Sequence, residues 1–417
     1  MKQLVKASAL ALSLVAASAA HAGGVAGGNA NSNWTIYGWQ NWSLETVDNG
    51  ARDTTRINNN AANIGFSAAV DTGMMVGGEA MMVNFRCEQF TYHNRFNGST
   101  NWCNRNSKIS LSGSFGEIMF GQWLLPYNEM VAQWVDPFYD AGADSHTSLM
   151  GNIGYGAGAR FYNGSFDQGH DSFNRRQEEI IQYFSPNMNG VTFRIATTNA
   201  HQKGPGEEVT VTGAGGDTEL DPRIWSMGVA YETTLDSGDN VWLAATYESH
   251  DEWSAVNNKC DDSDDKSYRL AGRYIKQWGQ GQSTQVSAMW ENLEYDWEGC
   301  TNATATAALM AGTNDLDVER DAFMLSAKHA FGNGFDMRLS YMDADELEVN
   351  GSDRNDSDAT AYNIGMFYTM PAGTELRLTY SKVDNEDASN YDFGIGSSSP
   401  AVGEDVKMWA LGIVQWF

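Results

Sequence analysis

The chain has 417 residues, with 53 acidic against 26 basic side chains and a formal charge of −27. That balance excludes nucleic acid as a partner, which needs a basic footprint, and suits either an acidic exterior or a cation-favouring aqueous channel. No later run approaches the roughly 20 apolar residues of a membrane helix, which leaves an exported soluble protein or a transmembrane barrel whose alternating strands escape a hydropathy window.

Residues 1–22 read as a secretory signal peptide. Lys2 and Lys6 supply the positive end, residues 7–20 a short apolar core, and Ala20-His21-Ala22 a small-x-small cleavage site. The apolar stretch is too short for a membrane anchor. Removing it leaves 24 basic against 53 acidic residues, formally −29. The rest, 23–417, is expected to form one domain.

Residues 34–45 are rich in β-formers and break at Asp48-Asn49-Gly50. In 63–70, Ile64, Phe66, Ala68 and Val70 alternate with Asn63, Gly65 and Ser67, and Asp71-Thr72-Gly73 is expected to turn the chain into 74–86. A strand at 108–112 turns at Ser114-Phe115-Gly116 into 117–123. Beyond a long interruption the alternation resumes in pairs: 178–184 with 191–198, 224–232 with 241–248, 267–276 with 284–295, 322–331 with 335–341, and 361–370 with 374–383. A last strand covers 406–417. That makes about sixteen strands, with Gly, Asn, Asp and Pro between them. Short turns near 71, 115, 187, 237, 280, 333 and 372 alternate with longer polar loops. Such sorting predicts an all-β, antiparallel up-and-down transmembrane barrel; a sandwich or propeller would have no reason for it. Trp and Tyr near strand ends fit belts at the two membrane interfaces.

The interruption, 124–177, is far longer than an ordinary connection and too apolar for disorder. It also carries Glu129, Asp136, Asp140 and Asp144. We expect it to fold into the barrel as a constriction loop that narrows a water-filled pore and presents these acids. With the apolar parity of each strand facing lipid, the opposite parity turns Arg194, Arg269, Arg273, Lys328, Arg338 and Arg377 inward. Bases on the wall facing acids on the loop would set up a field across the passage.

Thr35-Ile36-Tyr37-Gly38, Ile64-Gly65-Phe66, Phe115-Gly116-Glu117, Phe120-Gly121-Gln122, Ile181-Gln182-Tyr183-Phe184-Ser185-Pro186-Asn187 and Asn189-Gly190-Val191 follow one another in an order that resembles the trimeric porins of Gram-negative outer membranes. Phe417, with Trp409, Leu411 and Ile413 at alternate positions before it, resembles their assembly signal. The resemblance implies sixteen strands, a homotrimer in outer-membrane lipid and lipopolysaccharide, and an inward third loop. It also implies passive diffusion of ions and small hydrophilic solutes, without a cofactor. Gln122 and Gln182 stand where those porins often carry bases, and Gln415 where an apolar or aromatic residue is usual.

Four cysteines in an exported chain should pair. We favour Cys87 with Cys103 and Cys260 with Cys300, because other pairings would cross distant loops; no Cys-x-x-Cys spacing supports a metal site. The run Asp261-Asp262-Ser263-Asp264-Asp265 is expected to be a solvated loop tip. An enzyme is not expected, since no nucleophile motif accompanies the histidines. The acidic excess predicts a cation preference. The alternative is a pore specific for sugars, with Trp123, Trp134, Phe138, Tyr139, Phe161 and Tyr162 as an apolar track.

Overall fold

The computed structural model describes residues 25–29, 31–91, 102–139, 145–154, 173–198, 209–301, 314–394 and 398–417. The signal segment 1–22, the loop acids Asp140 and Asp144, and the track residues Phe161 and Tyr162 lie outside them.

Sixteen strands form the wall: β1 Ser32–Asp48, β2 Asn63–Val76, β3 Glu79–Phe90, β4 Ser107–Gly113, β5 Gly116–Leu124, β6 Arg176–Phe184, β7 Val191–Thr198 and β8 Arg223–Thr234, then β9 Asn240–Asp251, β10 Asp262–Gly279, β11 Gln282–Glu298, β12 Leu316–Phe331, β13 Phe335–Ala344, β14 Ala359–Thr369, β15 Thr374–Asn385 and β16 Val406–Trp416. Each pairs antiparallel with its neighbours in sequence. The first also pairs with the last, in a register that sets Trp39 against Trp416 and Leu44 against Leu411. Gly38 and Phe417 exchange backbone hydrogen bonds of 2.9 and 3.0 Å at this seam. The barrel is therefore closed and leaves no open edge.

Alternation decides which way each strand faces. Leu243, Leu270, Leu325, Leu378 and Leu411 are all exposed on the outside. Tyr268, Tyr341, Tyr362, Tyr380 and Trp409 lie in a row towards the long-loop end, and Tyr231, Tyr274, Phe335 and Tyr368 towards the short-turn end. Neighbours within these rows touch: the ring centroids of Tyr380 and Trp409 are 4.8 Å apart, those of Phe335 and Tyr368 4.4 Å. An apolar band between two aromatic girdles is the surface a lipid bilayer requires.

The β2–β3 turn differs from expectation. Asp71 begins a bulge inside β2, and the chain reverses at Gly77-Gly78, whose φ angles of +59° and +86° a side chain would strain. Many strands also extend beyond the predicted segments at the long-loop end. All of the acidic run but Asp261 thereby becomes part of β10 rather than a loop tip. Asp265 is buried there, accepting hydrogen bonds from Ser254 Oγ and, at 2.9 Å, from Trp297 Nε1.

Cys87 and Cys103 form one disulfide and Cys260 and Cys300 another, as favoured from their positions. The second fastens the segment after the short helix Trp253–Asn258 to the loop that follows β11.

Candidate functional site

The long loop leaves β5 at Leu124 and enters the barrel, where Pro126 starts a single turn, α1 Pro126–Glu129, followed by α2 Ala132–Val135. Pro suits this position because its missing N–H has no intrahelical acceptor to find. Val131, Val135, Leu149 and Met150 of the loop are buried against Trp242, Met289, Met324, Met342 and Met408 of the wall. The inner wall is thus apolar where the loop covers it, not polar along its whole height. Each such burial contributes about 1.5–3 kcal/mol, which keeps the loop inside.

Polar anchors fix its height. Glu291 on β11 is fully buried and accepts hydrogen bonds from Tyr127 Oη at 2.9 Å, Gly151 N at 2.7 Å, Arg269 Nε at 2.7 Å and Arg320 Nη2 at 2.6 Å. Arg320 also donates to the carbonyls of Leu149 and Asn152, at 2.7 and 2.5 Å, and to Tyr391 Oη at 3.1 Å. Tyr391 and Phe393 come from the connection between β15 and β16, so a second loop also folds inward and packs on the first. Asn390 N donates to Gly154 O at 2.7 Å across the two.

The predicted bases all sit on the inner side, in different company. Arg194 pairs with Glu129, which also accepts from Trp123 Nε1 at 3.0 Å. Arg269 is enclosed with Glu291, and Arg377 donates to Asn41. Arg338 bonds Asp336, Glu375 and the Pro137 carbonyl. Lys328 Nζ stands 3.7 Å from Asp336. Arg273 Nη2 bonds Glu232 at 3.3 Å and Asn240 at 3.0 Å. Asp136 turns into its own loop, accepting from Phe138 N and His146 N at 2.8 Å each, with His146 Nδ1 at 3.1 Å. Glu129 and Asp136 therefore do not stand free across the water from the bases.

Below α2 a cavity of about 330 Å³ remains, lined by Gln133, Trp134, Asp136, Pro137, Tyr139, Arg273, Gln285, Lys328, Arg338, Glu375 and Trp416. It brings together three of the predicted bases against two carboxylates. On the β1–β7 side the inner wall carries a stack that the sequence reading did not single out. Arg86 lies 5.3 Å from both the Tyr37 and Trp123 ring centroids, Lys108 4.8 Å from Trp123 and 5.3 Å from Phe184, and Arg194 4.9 Å from Phe184. Parity within strands already recognised points Arg86, Lys108 and Glu291 inward. Arg320 carried no such signal, because it precedes the predicted start of its strand. Nor did Tyr391, which lies in a loop without a period.

Of the six track residues, Phe161 and Tyr162 lie outside the described residues, and Trp134 and Tyr139 line the cavity below α2. Trp123 is flanked by Arg86 and Lys108, Phe138 is buried on Phe367, and Trp134 stacks on Trp242.

A closed sixteen-strand barrel with a lipid-compatible exterior and an inserted loop defines an outer-membrane channel. The family profile described as "Gram-negative porin" matches residues 7–388, and the chain belongs to that family. Outer membrane porin protein 32 of Delftia acidovorans is 27% identical over 252 residues, 58% of this chain and 66% of that relative. An anion-selective porin from Comamonas acidovorans superposes with a TM-score of 0.66 at 18% identity, covering 93% of this chain and 100% of that one. OmpT of Vibrio cholerae gives 0.59 at 10%, covering 94% and 99%. These comparisons lend no support to the cation preference expected from net charge.

Proposed function

We propose that the protein lets ions and small hydrophilic solutes diffuse passively across the outer membrane, and that its constriction favours anions. The observation that carries the ion preference is the cavity below α2, where Arg273, Lys328 and Arg338 face Asp136 and Glu375. Both oxygens of Asp136 are already engaged within the loop. Selectivity follows the potential at the narrowest point, where low-dielectric walls focus the field. The acidic excess elsewhere is screened beyond a Debye length of about 8 Å at physiological ionic strength. The Comamonas acidovorans relative described as anion-selective agrees with this reading.

The test is the reversal potential of single channels in a planar bilayer under a KCl gradient. Chloride-directed reversal supports the proposal, and the double substitution Arg273→Glu, Lys328→Glu should invert its sign. Potassium-directed reversal in the unmodified protein overturns the ion preference. We further propose a homotrimer, because a trimer form is recorded for Vibrio cholerae OmpT. Its mass in detergent, measured by light scattering, tests that assembly.

A further inference from the structure

Two cations around the cavity retain donors that no described residue uses. Among the described residues Arg273 is hydrogen-bonded only through Nη2, to Glu232 and Asn240; its Nε is enclosed, so Nη1 is the nitrogen left to an occupant of the cavity it lines. Lys328 Nζ lies 3.7 Å from Asp336, beyond hydrogen-bond reach. Arg338, by contrast, is tied to Asp336, Glu375 and the Pro137 carbonyl. It contributes a fixed positive potential rather than a free hand.

Flat apolar surfaces adjoin these donors. Trp134 stacks on Trp242 with centroids 5.9 Å apart and planes 23° from parallel. The Arg273 guanidinium lies over Trp134 at 4.9 Å. Tyr139 and Trp416 line the same space. From this arrangement we propose that the cavity is a binding site for small aromatic carboxylates with a single ring. The inference rests on the anion-favouring reading of the pore and names the solute class that the constriction holds longest.

Chemistry separates this class from its neighbours. A carboxylate can accept from the Arg273 guanidinium and the Lys328 ammonium together, and hydrogen bonds in which both partners are charged are the stronger ones. A ring attached to it meets the faces of Trp134 and Tyr139, where offset or edge-on packing adds to plain burial. An aliphatic carboxylate obtains only the first contribution and a neutral aromatic only the second. The volume of about 330 Å³ sits at the small end of the roughly 300–1,000 Å³ of ligand sites, which limits the occupant to one ring.

Single-channel current in KCl tests this, with benzoate, cyclohexanecarboxylate and benzyl alcohol added in turn at equal millimolar concentration. Benzoate should interrupt the current at concentrations roughly three- to tenfold below those of the saturated acid, and benzyl alcohol should not interrupt it. Trp134→Ala and Trp134→Phe should erase and preserve, respectively, the difference between the two acids. Arg273→Gln should weaken both acids. Equal action of the two acids, or no action of either, overturns the site. An anion-preferring channel that ignores benzoate sinks this inference alone, whereas a cation-preferring one sinks it together with the ion preference it rests on.

Discussion

Glu291 is the residue on which the inserted loop turns. Its carboxylate lies buried between the guanidiniums of Arg269 and Arg320 and also holds Tyr127 and Gly151 of the loop. A buried ion pair adds little net stability compared with an apolar replacement, but removing one partner costs about 3–5 kcal/mol because the others stay buried and uncompensated. Glu291→Gln should therefore loosen the loop while the sheet stays closed. Single-channel records should show larger, flickering conductance, while heat-dependent migration on gels still reports a folded barrel. Glu298→Gln on the same strand, exposed near the long-loop end, should leave both unchanged.

At the scale of elements, two loops share that anchor, since Arg320 bonds both the long loop and Tyr391 of the last one. The rim around the last loop is acidic. Burial and the carboxylates of Asp343 and Asp321 push Asp345 above the usual range, and burial with Glu346 and Asp343 does the same for Asp358. The Asp358 charge raises Glu386 in turn. An acid raised in the folded state binds its proton more tightly there than when unfolded. The folded arrangement is therefore penalised above the raised value and relieved as pH falls through it. Hydrogen-exchange protection in residues 386–394, corrected for intrinsic rates, should be higher at about pH 4, in the ordinary carboxylate range, than at about pH 7.5. Asp358→Asn should flatten that dependence; protection that rises with pH would contradict the assignment. The Cys260–Cys300 disulfide acts on a neighbouring rim, joining loops 40 residues apart. A crosslink of this kind stabilises by about 2–4 kcal/mol, mainly by restricting the unfolded chain. Cys260→Ser should lower the thermal midpoint without altering the reversal potential, which calorimetry and bilayer recording on the same sample would check.

For the whole molecule, the solvent of the outer surface is lipid, and each wall strand carries that information on one parity. Leu325, 52% exposed and midway along β12, faces outward. Its neighbour Met324 is fully buried against the loop packing. Leu325→Arg should cost about 2–4 kcal/mol if it lies at the bilayer midplane, seen as a reduced folded fraction in urea titrations with vesicles. An arginine at an exposed residue of the rim such as Glu346 should be near neutral in the same assay.

The sequence alone determined the parts governed by local period. Strand alternation, turn residues and the sorting of short from long connections set the number of strands, their direction and the lipid face, because each is a property of a few adjacent residues. The same parity placed Arg273, Lys328 and Arg338 on the inner wall, and loop position was enough to pair the cysteines. What each inner side chain meets was decided only by closure, which brings β1 against β16 and carries Glu129 to Arg194 across 65 positions of chain. Net charge pointed to cations because it sums the whole surface, whereas the proposed anion preference rests on the few groups that folding leaves beside the water. Those groups become known only when Asp136 is seen to turn into its own loop and Glu291 to vanish between two arginines, since hydrogen bonding between distant segments leaves no periodic trace in the chain.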